Sequence, residues 1–150
     1  MNHANLDDFN TVWSIFQENK YWFPHVWNTK IKKRIIDGEL IYENDVVITY
    51  SKYKRNYKIG RTTDQIAMKG DIILHQIVAK TKGNGSARKA LIDFFDYVKS
   101  NVWLTVREDN VVANSLYEKV GMKQVGTITW ANGTMPGIIW KRDLTNMFDV

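Results

Sequence analysis

Two glycines one residue apart, with cations on both sides, carry the first chemical suggestion in this chain: Lys80-Thr81-Lys82-Gly83-Asn84-Gly85-Ser86-Ala87-Arg88-Lys89. Glycine lets a ligand approach the backbone closely and supplies φ values that other residues avoid. A helix that starts just beyond offers N–H groups with no intrahelical acceptor, and its dipole adds positive potential. Such N–H groups can converge on an anion as a nest. The stretch therefore reads as a phosphate or pyrophosphate cradle. A strand-to-helix turn that needs glycine only for its dihedrals is the plain alternative. No Gly-Lys-Ser/Thr follows at the Walker distance, and the third glycine of a dinucleotide fingerprint is missing.

The flanking elements suit that role. Asp71 to Val78 is mostly β-branched and apolar, as a buried strand should be. Ala87, Ala90, Leu91, Phe94, Phe95 and Val98 recur at helical spacing, so a helix is expected from Ser86 to about Ser100. Trp103-Leu104-Thr105-Val106 is then a short strand. Strand, helix and strand make a βαβ unit with parallel strands and a right-handed crossover. Ligands of such units bind beyond the carboxyl ends of the strands, where the glycines lie.

Elsewhere the pattern predicts a helix over Leu6 to Asn19 and a second from His25 to Ile36, stopped at Gly38. A hairpin is expected from Leu40-Ile41-Tyr42 and Val46 to Tyr50, turning at Glu43-Asn44-Asp45. Lys52 to Lys69 is polar and basic and reads as a long loop. Asp109-Asn110 is an N-cap signal for a helix through Ala113, Leu116, Tyr117 and Val120, ended by Gly121. A last hairpin runs from Met122 to Trp130 and from Ile138 to Trp140, with its turn at Asn132-Gly133.

The 150 residues suit one domain, 1–150, with a core of its own. No cysteine is present, which excludes disulfides, thiolate catalysis and cysteine-bound metal; the three histidines are scattered, so no metal is expected. No apolar run is long enough to span a membrane, and nothing resembles an export leader, so the cytoplasm is the expected location. The net charge of +5 suits a polyanionic partner or simple solubility.

Two motifs then meet. The loop Lys80 to Ala87 resembles the acyl-CoA pyrophosphate loop of the GNAT N-acetyltransferase superfamily. Further on, Val106-Arg107-Glu108-Asp109-Asn110-Val111-Val112-Ala113-Asn114-Ser115-Leu116-Tyr117-Glu118-Lys119-Val120-Gly121-Met122 resembles the second signature of that family, in which Asn follows a strand and Ala, Tyr and Gly recur along the next helix. The resemblance implies an α/β (α+β) three-layer fold: a mixed, mostly antiparallel sheet with a central parallel, splayed strand pair, flanked by helices. It implies transfer of acetyl from acetyl-CoA to an amine by direct attack, with no metal. By position, Val78 and Ala79 would line the pantetheine arm. Lys82, Gly83, Asn84, Gly85 and Ser86 would hold the pyrophosphate, Asn110 would contact the coenzyme, and Tyr117 would protonate the departing thiolate. Lys80 stands where the family has Arg or Gln, Met122 where Phe is common, and the usual first strand is missing or reduced to Met1–Asn5.

A phenol keeps its proton at neutral pH and can pass it to a leaving thiolate; a satisfied core tyrosine is the alternative for Tyr117, and a bare N-cap the alternative for Asn110. The attacking amine needs a base. Among His75, Glu43 and Glu108, the first is the preferred guess but is not assigned. The acceptor is an unidentified amine, small or on a peptide or protein, and the chain a monomer or a homodimer. Two other readings are a non-catalytic acyl-CoA-binding module and a basic nucleic-acid binder using Lys30–Arg34, Lys52–Arg61, Tyr53 and Tyr57.

Overall fold

A computed structural model of the chain describes residues 1–60 and 64–144. Its helices are α1 (Phe9–Glu18), α2 (Asn28–Ile36), α3 (Ser86–Val98) and α4 (Val111–Lys119). Its strands are β1 (Leu40–Glu43), β2 (Val46–Lys52), β3 (Tyr57–Lys58), β4 (Ile66–Ala67), β5 (Ile72–Ala79), β6 (Val102–Arg107), β7 (Lys123–Trp130) and β8 (Met135–Arg142). They group into two compact units, Met1–Tyr50 with His75–Phe94, and Ser51–Leu74 with Phe95–Val150.

In the first unit β1 and β2 form the expected antiparallel hairpin, Leu40 opposite Thr49 and Glu43 opposite Val46. Its two-residue turn has Asn44 and Asp45 at φ of 52° and 59°, the left-handed pair that matches the twist of a hairpin. The later part of β5 follows β2, and the Thr49 hydroxyl bonds to the Gln76 side-chain carbonyl. Val12, Ile15 and Phe16 on α1 share a core with Ile31 and Ile35 on α2 and with Leu40, Val47 and Val78. Those positions are three and four apart on each helix, so one stripe of each is removed from water. The stretch before α1 opens as a 3-10 turn, Leu6–Asp8, closed by a reciprocal capping box between Asn5 and Asp8. The second helix starts at Asn28, three residues later than the pattern predicts, because Trp27 is extended (φ −104°, ψ 156°). At the other end the Glu39 N–H reaches back to the Arg34 carbonyl at 2.8 Å across Gly38. The reduced first strand is a single antiparallel bridge, His3 opposite Ile41.

In the second unit β5 and β6 pair in parallel at their first residues, Ile72 opposite Val102 and Ile73 opposite Trp103. Antiparallel pairs of β6 with β8 and of β8 with β7 complete the order β5-β6-β8-β7. A bulge between Gln124 and Gly126 interrupts the last pair. The sheet is thus mostly antiparallel with one parallel pair, as the resemblance implies.

One expectation needs correction. Lys52 to Lys69 is not simply a loop: it contains the two-stranded hairpin β3–β4, Tyr57 opposite Ala67 and Lys58 opposite Ile66. Ile59 and Ala67 are buried with Trp103 and Ile139, so the hairpin is anchored by apolar contact. Arg61, in the same stretch, lies outside the described residues.

Candidate functional site

The residues singled out by the sequence fall into two groups, one in each unit. The first group runs from the end of β5 into α3. Val78 and Ala79 are buried, and the Lys80 N–H donates to the Asp45 carbonyl at 2.9 Å. Gly83 and Gly85 have φ of 76° and 79°, and a Cβ at either would meet nothing within 4 Å. Both glycines are therefore required by backbone conformation, and both face open space. The Gly85 carbonyl accepts the first helical bond, from the Lys89 N–H at 3.1 Å. The Asn84 side chain accepts from the Ser86 N–H at 3.0 Å, which engages one donor of the first turn. Among the described residues none accepts from the N–H of Gly83, Gly85, Ala87 or Arg88. Those four donors, on a positively charged loop at a helix start, can receive an anion.

The Lys82 side chain folds back. Its ammonium donates to the Ala79 carbonyl at 2.6 Å, so it closes the loop over the strand end. Burial lowers its pKa from the ordinary lysine value, and the charge of Glu18 acts in the opposite direction. Lys89 pairs with Asp93 at 2.9 Å on the exposed face of α3.

The second group is built on β6 and α4. Asn110 caps α4, its side-chain oxygen accepting from the Ala113 N–H at 3.2 Å. Arg107 grips the Asp109 carboxylate with two bonds of 3.0 and 2.7 Å, which holds that carboxyl below its usual pKa. Tyr117 is buried, and its ring packs on Trp140 with centroids 6.1 Å apart. Burial raises the pKa of the phenol above its ordinary value, so the hydroxyl is protonated throughout the neutral range. It bonds to no other described residue. Past α4, the Met122 N–H returns to the Tyr117 carbonyl at 3.0 Å and Gly121 takes φ of 88°, the helix stop the sequence predicts.

Asn114 is the residue the sequence reading passed over. Its amide donates to the carbonyls of Arg107, Glu108 and Asn110, at 3.1, 3.3 and 2.9 Å. Its oxygen accepts from the Trp140 indole at 2.9 Å. The available signal was an asparagine inside a helix, a residue type that usually serves caps and turns rather than helix interiors. His75, the preferred base, has its pKa lowered to about 4 by burial and by Arg34 and Lys30.

No family model matches the chain. No curated protein matches it either. Solved structures do. An acetyltransferase of the GNAT family from Streptococcus agalactiae 2603 superimposes with a TM-score of 0.74 at 14% identity, over 93% of this chain and 92% of that one. The chain has the GNAT fold. The ribosomal-protein-S18-alanine N-acetyltransferase of Escherichia coli is similar over 93% of this chain and 90% of its own, with a TM-score of 0.64 at 15% identity. NAA60 of Arabidopsis thaliana, solved in complex with a bisubstrate analogue, is similar over 92% of this chain and 94% of its own, with a TM-score of 0.65 at 12% identity. At these identities the likeness to GNAT proteins is one of fold. Among the described residues no group of His, Asp or Glu is arranged to hold a metal, and no helix is long and apolar enough to cross a membrane.

Proposed function

We propose that this chain is an acetyl-CoA-dependent N-acetyltransferase, with residues 1–150 acting as one acyl-CoA-binding domain. The observation that carries the reading is the cradle: two glycines held at positive φ, facing open space, with four N–H donors that no described residue uses. The GNAT fold supplies the context, and GNAT neighbours are acetyltransferases.

In this reading the N–H groups of Gly83 and Gly85 and the first turn of α3, beginning at Ser86, receive the pyrophosphate of acetyl-CoA. Asn84 shapes the loop through its bond to Ser86, and Lys82 keeps a positive charge in it. Val78 and Ala79 present strand backbone to the pantetheine arm. Asn110 adds a contact to the coenzyme besides its cap. A neutral amine attacks the thioester carbonyl, the C–N bond forms and the C–S bond breaks. Tyr117 gives its proton to the departing thiolate, and the amine loses its own proton to a base or to water. A raised phenol pKa fits a group that must arrive at the reaction protonated.

A second reading is an acyl-CoA-binding module without turnover. It is favoured by His75, whose depressed pKa makes it a weak base at neutral pH. Calorimetric titration with acetyl-CoA tests both. Saturable binding that is lost in Gly83→Glu but kept in Gly83→Asn supports the cradle, since asparagine tolerates the positive φ of 76° and only the glutamate brings a negative charge. Acetylation of an amine then separates the transferase from the module. A folded protein that takes up no acetyl-CoA would discard both.

A further inference from the structure

An asparagine inside a helix needs a reason, because its short amide competes for backbone groups and suits caps and turns. In α4 the Cα–Cβ bonds lean towards the helix start. The Asn114 amide accordingly reaches back to the carbonyls of Arg107, Glu108 and Asn110, at 3.1, 3.3 and 2.9 Å. The Asn110 carbonyl takes the Asn114 backbone N–H as well, at 3.0 Å. The Asn114 side-chain oxygen accepts from the Trp140 indole N–H at 2.9 Å.

Those partners leave the amide one orientation. An indole N–H can only donate and a carbonyl can only accept. The oxygen must therefore meet Trp140, and the nitrogen must meet the carbonyls. Aspartate matches the shape, but ionised it offers the carbonyls no donor. Leucine matches the size and offers neither donor nor acceptor.

The anchored parts are the ones that place Tyr117. Arg107 ends β6 and Asn110 caps α4, so the amide clamps the junction from which α4 departs. Tyr117 lies three residues beyond Asn114, and residues at that spacing are neighbours on one helix face. Its ring meets Trp140 with centroids 6.1 Å apart and planes at 59°, within the usual spacing of an aromatic pair. No described residue hydrogen-bonds to the Tyr117 hydroxyl. Its place is set by the course of α4 and by the packing of its ring, which rests on Trp140. Asn114 holds both.

We propose that Asn114 is a positioning residue for the proton donor: it sets the start of α4 and the Trp140 ring so that the Tyr117 hydroxyl meets the sulfur of the coenzyme. The proposal rests on the role given to Tyr117 above. Asn114 itself touches no reacting atom in this role and acts through Trp140 and the helix. The placement matters because a shift of about 1 Å at a reacting group can cost on the order of a hundredfold in rate.

The test reads the phenol directly and needs no acceptor. The whole chain is labelled with carbon-13 at the tyrosine Cζ. Of its seven tyrosines, the one whose resonance is missing from Tyr117→Phe is Tyr117. Spectra are recorded with saturating CoA and with saturating desulfo-CoA, which lacks the sulfur, and calorimetry establishes saturation. In the wild type the Tyr117 resonance should differ between the two complexes. That difference should be lost in Asn114→Ala, and in Trp140→Phe, which keeps a ring but has no N–H. Ile59→Ala is the control. It hollows the cluster of Ile59, Trp103 and Ile139, which costs stability without removing an Asn114 bond, so it should keep the difference. Circular dichroism checks that each variant folds. A difference that survives in folded Asn114→Ala or Trp140→Phe, or that vanishes in Ile59→Ala as well, overturns the positioning role and leaves Tyr117 as the donor. A wild type that binds CoA but shows no difference takes Tyr117 away from the sulfur, and the positioning role falls with it. A folded wild type that binds no CoA discards the acyl-CoA reading as a whole.

Discussion

The Trp140 indole N–H donates to the Asn114 side-chain oxygen at 2.9 Å, while the amide of the same asparagine holds the carbonyls of Arg107, Glu108 and Asn110. One side chain thus ties the end of β6, the cap of α4 and the middle of β8. Trp140 is 2% exposed, so its N–H has no water to replace a lost partner. Asn114→Ala should lower stability by about 1–3 kcal/mol, the usual cost of leaving a buried polar group unpaired. Urea unfolding of the two proteins gives the difference. A change within a few tenths of a kcal/mol would mean the tether is dispensable.

Asn110 has a cap to lose and, in the proposed function, a coenzyme contact as well. Asn110→Ala should cost about 1 kcal/mol, since the Ala113 N–H loses its acceptor. Asn110→Ser keeps a capping oxygen and should stay near wild-type stability. If the side chain also touches acetyl-CoA, the serine variant should nevertheless show a higher KM for it. Wild-type KM in that variant would leave Asn110 as a cap alone.

Tyr117→Phe separates chemistry from packing. The hydroxyl bonds to no other described residue, so the melting temperature should hardly move. If the phenol protonates the thiolate, kcat should fall by roughly a hundredfold, within the usual range for a general acid, with acetyl-CoA affinity unchanged. A variant that keeps full turnover removes Tyr117 from the mechanism.

The features legible in the sequence are the ones fixed locally. Gly83, Gly85 and Gly121 take the positive φ values their positions in a loop and at a helix end suggest. Asn44-Asp45 turns the first hairpin, and Asn110 starts α4. What was not legible depends on distant partners. β3 and β4 are two residues each, too short for any alternation of apolar and polar positions to show. The hairpin is held instead by Ile59 and Ala67 against Trp103. Asp71 looks like the polar start of a strand until Trp103, 32 residues away, donates to it. α2 starts later than the apolar spacing predicts because Val26 fits that spacing while the backbone at Trp27 is still extended.

Gly137 is required by a ring rather than by its φ. A Cβ there would lie 2.3 Å from Cζ3 of Trp130 and 3.0 Å from Cγ2 of Ile128. Gly137→Ala must push the indole aside, at about 1–3 kcal/mol for an overpacked site. Trp130→Leu should restore most of the stability, because it removes the atoms that clash. If Gly137→Ala is as stable as wild type, the indole does not rest on the glycine in solution.

His75 gives the protein a pH dependence of known sign. Its folded pKa is about 4, against an ordinary value of 6.5. Between those values the unfolded chain binds a proton that the folded chain does not, so stability falls as pH drops from about 6.5 towards 4. The full contribution is present above pH 6.5. Burial is the main cause, and Arg34 and Lys30 add to it by repelling a charged imidazole. The loss should be about 2 kcal/mol once partial exposure is allowed for. His75→Gln cannot titrate, and its melting temperature should fall less steeply over the same window. Parallel slopes for the two proteins would show that His75 titrates normally in the folded state. It would then return as a usable base at neutral pH.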